Sequence, residues 1–191
     1  MRLIIFSSQG DIPNEHAILN ALFKEGLDCF HLRKPGFTEK QIHDFLGAVA
    51  VLHRDKIVLH GAKGEERRTR GLHSLSELEQ CRNKGYSYVF LSPVFDSISK
   101  QGYKSSFEHP ELKKQLLKMK ETPGLPEVIA LGGIDEHNIV AAMDMGFDGI
   151  AVLGALWNEV VENDEAKSIK RIFEKYRRMQ SKVLTPRQQS F

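Results

Sequence analysis

With 191 residues, 41% of them hydrophobic, the chain is long enough to bury a full core and short enough to form one domain. Its 27 basic and 25 acidic side chains leave a formal charge of +2, which excludes the strong basic excess of a nucleic-acid binder and suits a small anionic metabolite. No apolar run approaches the ~18 residues of a membrane span and the Arg2-to-Phe6 start is too short for a signal peptide, so the expected place is the cytoplasm, away from membranes.

In chain order the pattern repeats strand, then helix. Leu3 to Phe6 reads as a strand, His16 to Glu25 as a helix closed by Gly26, and Asp28 to Arg33 as a second strand. Thr38, with Gln41 three residues on, makes a capping box that opens a helix whose apolar stripe is Ile42, Phe45, Leu46 and Val49. Lys56 to His60 is the third strand, followed by eleven residues, Gly61 to Gly71, rich in charge and too few for a helix plus a strand. A strand near residue 71 precedes a helix from Leu75 to Lys84 closed by Gly85. Tyr86 to Ser92 is a strand, Pro110 to Lys120 a helix, Glu127 to Leu131 and Gly149 to Leu153 two glycine-ended strands, and Glu165 to Met179 the last helix. Cys29 and Cys81 each lie inside an apolar pattern, which predicts buried free thiols rather than a disulfide or metal pair.

Alternating β and α elements with apolar strands predict an α/β fold with a parallel sheet, closed as a barrel or open and doubly wound. We take the closed form, a (βα)8 TIM-type barrel, one βα unit short, because seven strands can be placed where such a barrel has eight. Residues 1–180 then form a single barrel domain, and the polar, proline-broken stretch 181–191 is an expected disordered tail. A missing unit leaves two strand edges that a homodimer contact or the basic loop after His60 could cover.

Two consecutive strands end in glycine, at Gly132-Gly133 and at Gly154. In a β/α barrel the loops after the last two strands commonly hold a phosphate on backbone N–H groups near a helix N-terminus. The same glycines also suit a turn that merely needs positive φ. Similar alternatives stand for His31, a site residue or a hydrogen-bonded core histidine between Phe30 and Leu32, and for Trp157, which suits packing better than ligand stacking.

The runs His31-Leu32-Arg33-Lys34-Pro35, Gly71-Leu72-His73-Ser74-Leu75-Ser76-Glu77, Tyr88 through Lys100, and Ala130 through Asn138 resemble thiamin phosphate synthase and its relative, the thiazole tautomerase TenI, in order and spacing. The resemblance covers about residues 3 to 158. It implies a barrel that joins a hydroxymethylpyrimidine diphosphate to thiazole phosphate, releasing pyrophosphate with the help of Mg2+. The work of such an enzyme is to stabilise the leaving group's charge and position the nucleophile. By the resemblance Arg33 holds the diphosphate as a bidentate donor, Lys100 with Ser97 and Ser99 grips both phosphates, and Gly132, Gly133 and Gly154 cradle the thiazole phosphate. His31 and Lys34 complete the expected binding set, and Arg33, His73 and Lys100 the catalytic one.

The departures matter equally. Pro35 stands where the family has a lysine, for which Lys34 is the candidate replacement, and His60-Gly61 stand where the family has Asn-Asp with a magnesium-binding aspartate. A second such aspartate belongs to the missing stretch, so no metal ligands are assigned. The tautomerase needs no metal and uses a histidine matching His73, a residue type suited to proton transfer near neutral pH. The synthase reading leads because Arg33, Ser97, Ser99 and Lys100 suit two phosphates rather than one. The tautomerase and a non-catalytic barrel that binds phosphorylated metabolites remain the alternatives.

Overall fold

In a computed structural model of the chain, the residues described are 1–60, 69–96, 104–105, 107–160 and 164–184, with only the backbone of 165 and 166. The strands are β1 (Arg2–Phe6), β2 (Cys29–Leu32), β3 (Ile57–Leu59), β4 (Thr69–Leu72), β5 (Tyr88–Leu91), β6 (Glu127–Ala130) and β7 (Gly149–Val152). The helices are α1 (Glu15–Lys24), α2 (Glu39–Ala48), α3 (Leu75–Gln80), α4 (His109–Lys120), α5 (Ile139–Asp144), α6 (Gly154–Trp157) and α7 (Glu165–Leu184), with a 3-10 segment at Val51–Lys56.

All pairings are parallel, in the order β3-β2-β1-β7-β6-β5-β4. This is the strand order of a (βα)8 barrel with one unit missing between β3 and β4, where the charged segment 61–68 lies outside the described residues. The sheet curls strongly. In a flat sheet β2 and β5, four steps apart, would stand about 19 Å from each other, yet His31 on β2 hydrogen-bonds Tyr88 on β5 at 2.7 Å.

The curl splits the apolar residues into two cores. Leu3, Ile5, Phe30, Leu32, Val89, Leu91, Val128, Ala130, Ile150 and Val152 face outward against the helices. Their alternates Ile4, Phe6, Tyr88, Phe90, Ile129 and Ala151 fill the barrel. Along β1, β5, β6 and β7 both faces are buried, so these strands read as apolar runs rather than alternations.

The helix ends follow local chemistry. Thr38 and Gln41 form the expected reciprocal capping box on α2, and Ser74 accepts from the Glu77 N–H at 3.2 Å to cap α3. α3 is shorter than the pattern suggested, ending at Gln80, because the chain turns through Arg82 to Asn83, whose φ is +58°. The last helix is longer. It runs through Ser181 to Leu184, where an irregular tail was expected, because Met179 and Val183 bury against the outer core one helical turn apart. Residues 185–191 lie outside the described set. Cys29 and Cys81 are free thiols, the first half-buried and the second buried.

Candidate functional site

The C-terminal ends of the strands converge on one mouth of the barrel. On the β1–β2 side, Ser7 is fully buried and clips the two strand ends: its Oγ accepts from the Arg33 N–H at 2.8 Å and donates to the Arg33 carbonyl at 3.0 Å. The clip fixes the backbone of Arg33, while its side chain is exposed. Side chains alternate along a strand, so Arg33 follows His31 onto the inner face, over the mouth.

Lys34 takes the opposite direction. Its side chain is fully buried, paired with Glu15 and donating to the Gly10 carbonyl at 2.6 Å. Glu15 in turn accepts from the Ser8 N–H at 3.0 Å. Burial pushes the Glu15 carboxyl up from its usual range, against the lowering effect of Lys34. The pair ties the loop after β1 to the loop after β2. Lys34, expected to contact phosphate, has its ammonium buried and committed to Glu15 and the Gly10 carbonyl.

His31 was also expected among the binding residues, and it lies below the mouth, fully buried inside the barrel. Its Nε2 meets the Tyr88 hydroxyl at 2.7 Å and its Nδ1 meets His60 Nε2 at 2.5 Å. Phe6 and Phe90 pack their rings on it, with centroids 4.9 and 5.0 Å away. Burial, helped by His60, pulls the His31 pKa down to about 3, so it is neutral at physiological pH. Beneath it Tyr88 reaches Cys29 Sγ at 3.5 Å, and burial raises the phenol above its usual range.

His73 follows β4 and is exposed. Its Nδ1 lies 2.8 Å from the Ser92 carbonyl, which can only accept, so Nδ1 carries the proton and Nε2 keeps the lone pair. Its backbone N–H donates to Glu77 at 2.5 Å, which fixes the imidazole's position against the start of α3. Ser97, Ser99 and Lys100, and with them Tyr103, lie outside the described residues.

On the β6–β7 side the site is backbone. Gly132 and Gly133 have φ of +89° and +65°, and a Cβ on Gly133 would stand 2.2 Å from the Asp96 carbonyl oxygen. A Cβ on Gly132 would stand 2.7 Å from Pro93 Cα. Both glycines are therefore required by the close approach of the loop after β5, independent of any ligand. No described residue accepts from the N–H groups of Gly133 or Ile134. Asn138 holds the turn by donating to the Gly133 carbonyl at 2.7 Å. β6 and β7 are paired neighbours, with Ala130 opposite Ile150, so the turns that carry Gly133 and Gly154 leave the same edge of the sheet. Trp157 is buried and donates to the Phe6 carbonyl at 2.6 Å, a packing role.

The strand ends at the mouth thus carry Arg33, His73, Gly133 and Gly154, while His31 is buried inside the barrel and Lys34 is buried against Glu15. Ser7, Glu15, Tyr88 and His60 were not anticipated as its supports. Tyr88 shares an alternate-residue face with Phe90, the one sign in the sequence that it points inward. Mg2+ prefers oxygen donors, usually including a carboxylate. β3 leads into His60, and among the described residues no group of three or more His, Cys, Asp or Glu converges to hold a metal.

A family model described as thiamine monophosphate synthase matches residues 69–156, the stretch that carries His73, Gly133 and Gly154. A thiamine-phosphate synthase of Listeria welshimeri is 32% identical over 87 residues, 44% of this chain and 39% of that protein. Another, from Caldicellulosiruptor saccharolyticus, is 23% identical over 164 residues, 85% of this chain and 62% of that one. The chain thus spans less than two thirds of the length of these curated relatives. The crystal structure of a thiamine phosphate pyrophosphorylase from Bacteroides thetaiotaomicron superposes with a TM-score of 0.80 at 28% identity, covering 96% of this chain and 98% of that one. Over residues 69–156 in sequence, and over nearly its whole length in fold, the chain is similar to thiamin phosphate synthases.

Proposed function

We propose that the chain is a thiamin-biosynthesis transferase that joins a hydroxymethylpyrimidine diphosphate to thiazole phosphate and releases pyrophosphate. The observation that carries this reading is the near whole-length likeness to a thiamine phosphate pyrophosphorylase, 96% of one chain on 98% of the other. The geometry supports it in two places. Arg33 is exposed on a backbone fixed by Ser7, a suitable donor for a leaving diphosphate. Across the mouth, the N–H groups of Gly133 and Ile134 and the opening of α6 at Gly154 suit the thiazole phosphate. In this reading Lys100, Ser97 and Ser99 bind the diphosphate and the working place is the cytoplasm. No helix among the described residues is long and apolar enough to cross a membrane.

The test is direct. Purified protein mixed with the pyrimidine diphosphate, thiazole phosphate and Mg2+ should release pyrophosphate, and Arg33→Ala should slow that release at least tenfold. Retained thiazole phosphate affinity with no release of pyrophosphate would turn the reading to a binding barrel. Magnesium enters as an assay component, added with the diphosphate.

One observation favours the tautomerase as the second reading. His73 presents a lone pair on Nε2 while its Nδ1–H is held by Ser92, the arrangement a general base needs. Proton exchange on the thiazole carboxylate phosphate that vanishes in His73→Ala, without pyrophosphate release by the unaltered protein, would establish it.

A further inference from the structure

The turn after β6 is held from outside the barrel as well as from within itself. The Asn138 carboxamide accepts from the Asp135 N–H at 2.9 Å and donates to the Gly133 carbonyl at 2.7 Å, so one side chain spans the peptide units on either side of Ile134. The Asp135 carboxylate accepts in turn from the N–H groups of His137 and Asn138, at 2.8 and 3.2 Å. Between these knitted positions, Glu136 reaches out to the C-terminal helix. Its carboxylate accepts from Arg178 Nε at 2.5 Å and its carbonyl accepts from Lys182 Nζ.

Arg178 and Lys182 lie four residues apart, one helical turn, and so share a face of α7. The helix is a fixed support. Ile172, Tyr176, Met179 and Val183 bury it against the outer core, and on its other flank Arg177 pairs with Glu25, just beyond α1, at 2.8 Å while Gln180 donates to the Glu25 carbonyl at 3.4 Å. Four buried side chains already hold α7 in place, and a half-exposed pair such as Arg178–Glu136 adds little to overall stability. The two donors spent on one loop residue therefore act chiefly on the loop.

We propose that Glu136, Arg178 and Lys182 are positioning residues for the phosphate-holding turn, with α7 as its outer brace. They set the direction of the Gly133 and Ile134 N–H groups without touching the ligand. The inference deepens the reading of that turn as the thiazole phosphate cradle and rests on it.

The two contacts divide the work. Lys182 fixes the peptide unit between Glu136 and His137, whose N–H is already held by Asp135, so the plane of the turn is set from both of its ends. Arg178 holds the side chain and its charge. Its hydrogen bond keeps the Glu136 carboxyl below the usual carboxylate range, so the group is ionised at physiological pH and the pair persists there. A lone carboxylate two residues beyond the Ile134 N–H would oppose an incoming anion, and the guanidinium offsets it. Free of ligand, Gly132 and Gly133 give the turn little conformational restraint of their own beyond the loop after β5. The brace supplies the rest.

A double-mutant cycle on the full chain tests this, with thiazole phosphate and pyrophosphate binding measured separately by calorimetry. Arg178→Ala and Glu136→Ala should each weaken thiazole phosphate about three- to tenfold, and the double variant should lose no more than the larger single loss. Pyrophosphate affinity should stay within about twofold, because Arg33 is set by Ser7 across the mouth. Lys182→Ala, at an exposed side chain, should give the same selective loss and serves where Glu136→Ala does not fold. Thiazole phosphate affinity unchanged in both Arg178→Ala and Lys182→Ala overturns the proposal and leaves the cradle standing. Equal losses for the two ligands, or losses that add in the double variant, overturn it as well, since they mark a general loosening rather than a brace on one turn. A wild type that fails to bind thiazole phosphate at all overturns both this inference and the reading on which it rests.

Discussion

The two sides of the mouth are built from different materials. Around β1, β2 and β3 the shape depends on side chains: a buried Lys34–Glu15 pair, the Ser7 clip and the His31 network. Around β6 and β7 it depends on backbone, on glycines that let one loop lie against another and on N–H groups that no described residue accepts from. A side chain can be repositioned by its partners and can change its charge, whereas a backbone amide offers the same donor at every pH. The first side suits an anion whose charge changes during a reaction, and the second suits one that is merely held.

That contrast can be broken most severely at Lys34. Lys34→Met leaves the Glu15 carboxylate buried without its counter-charge, and the expected loss is about 3–5 kcal/mol of unfolding free energy. Chemical denaturation should show most of the loss recovered when Glu15→Leu is added, because the double variant has no buried charge left to satisfy. Failure to recover would mean that the contacts with Ser8 and Gly10, rather than the pair, hold the loop.

On the other side the corresponding break is Gly133→Ala. The added Cβ would enter the space of the Asp96 carbonyl oxygen, 2.2 Å away, at a φ of +65° that alanine resists. A destabilisation of about 2–3 kcal/mol is expected, accompanied by weaker binding of thiazole phosphate. A fully stable variant would show that the loop after β5 yields easily.

Ser7→Ala sharpens the comparison at lower cost. It removes two hydrogen bonds to the Arg33 backbone, a loss of about 1–2 kcal/mol in stability. Pyrophosphate affinity should fall several-fold while thiazole phosphate affinity changes little. Equal losses for both ligands would mean that the two sides do not act independently.

The same division explains what was legible in the chain. The seven strand positions could be read because residues such as Ile4, Ile5, Val89 and Ile150 form apolar runs between turn signals. The Thr38–Gln41 capping box was equally local. So were the Gly132-Gly133 and Gly154 turns and the exposed Arg33 and His73, since each sits just beyond a strand end. What was not legible depends on distance in sequence. Lys34 finds Glu15 nineteen residues earlier, and His31 finds Tyr88 fifty-seven residues later, only because the sheet curls. The 3-10 segment Val51–Lys56 also went unread, being too short to show a period.

The smallest expected effect comes from pH and isolates the side-chain half. Burial raises the Glu15 pKa from 4.5 in the folded protein, so the native state holds its proton more tightly than the unfolded chain does. Its contribution to stability is therefore greatest at acid pH and is lost as pH rises from about 4.5 through the raised folded value. Glu77 and Glu136 act in the opposite sense. Hydrogen bonds from the His73 backbone and from Arg178 lower their pKa values, so their contributions are present above 4.5 and are lost as pH falls through the lowered values. These opposed slopes hide Glu15 in a simple stability profile. Subtracting the profile of Glu15→Gln removes the others, and the difference should fall as pH rises above 4.5 and then level off. A difference that instead rises with pH would mean that the Lys34 ammonium outweighs burial at this carboxyl, and that the side-chain half is held by an ion pair at every working pH.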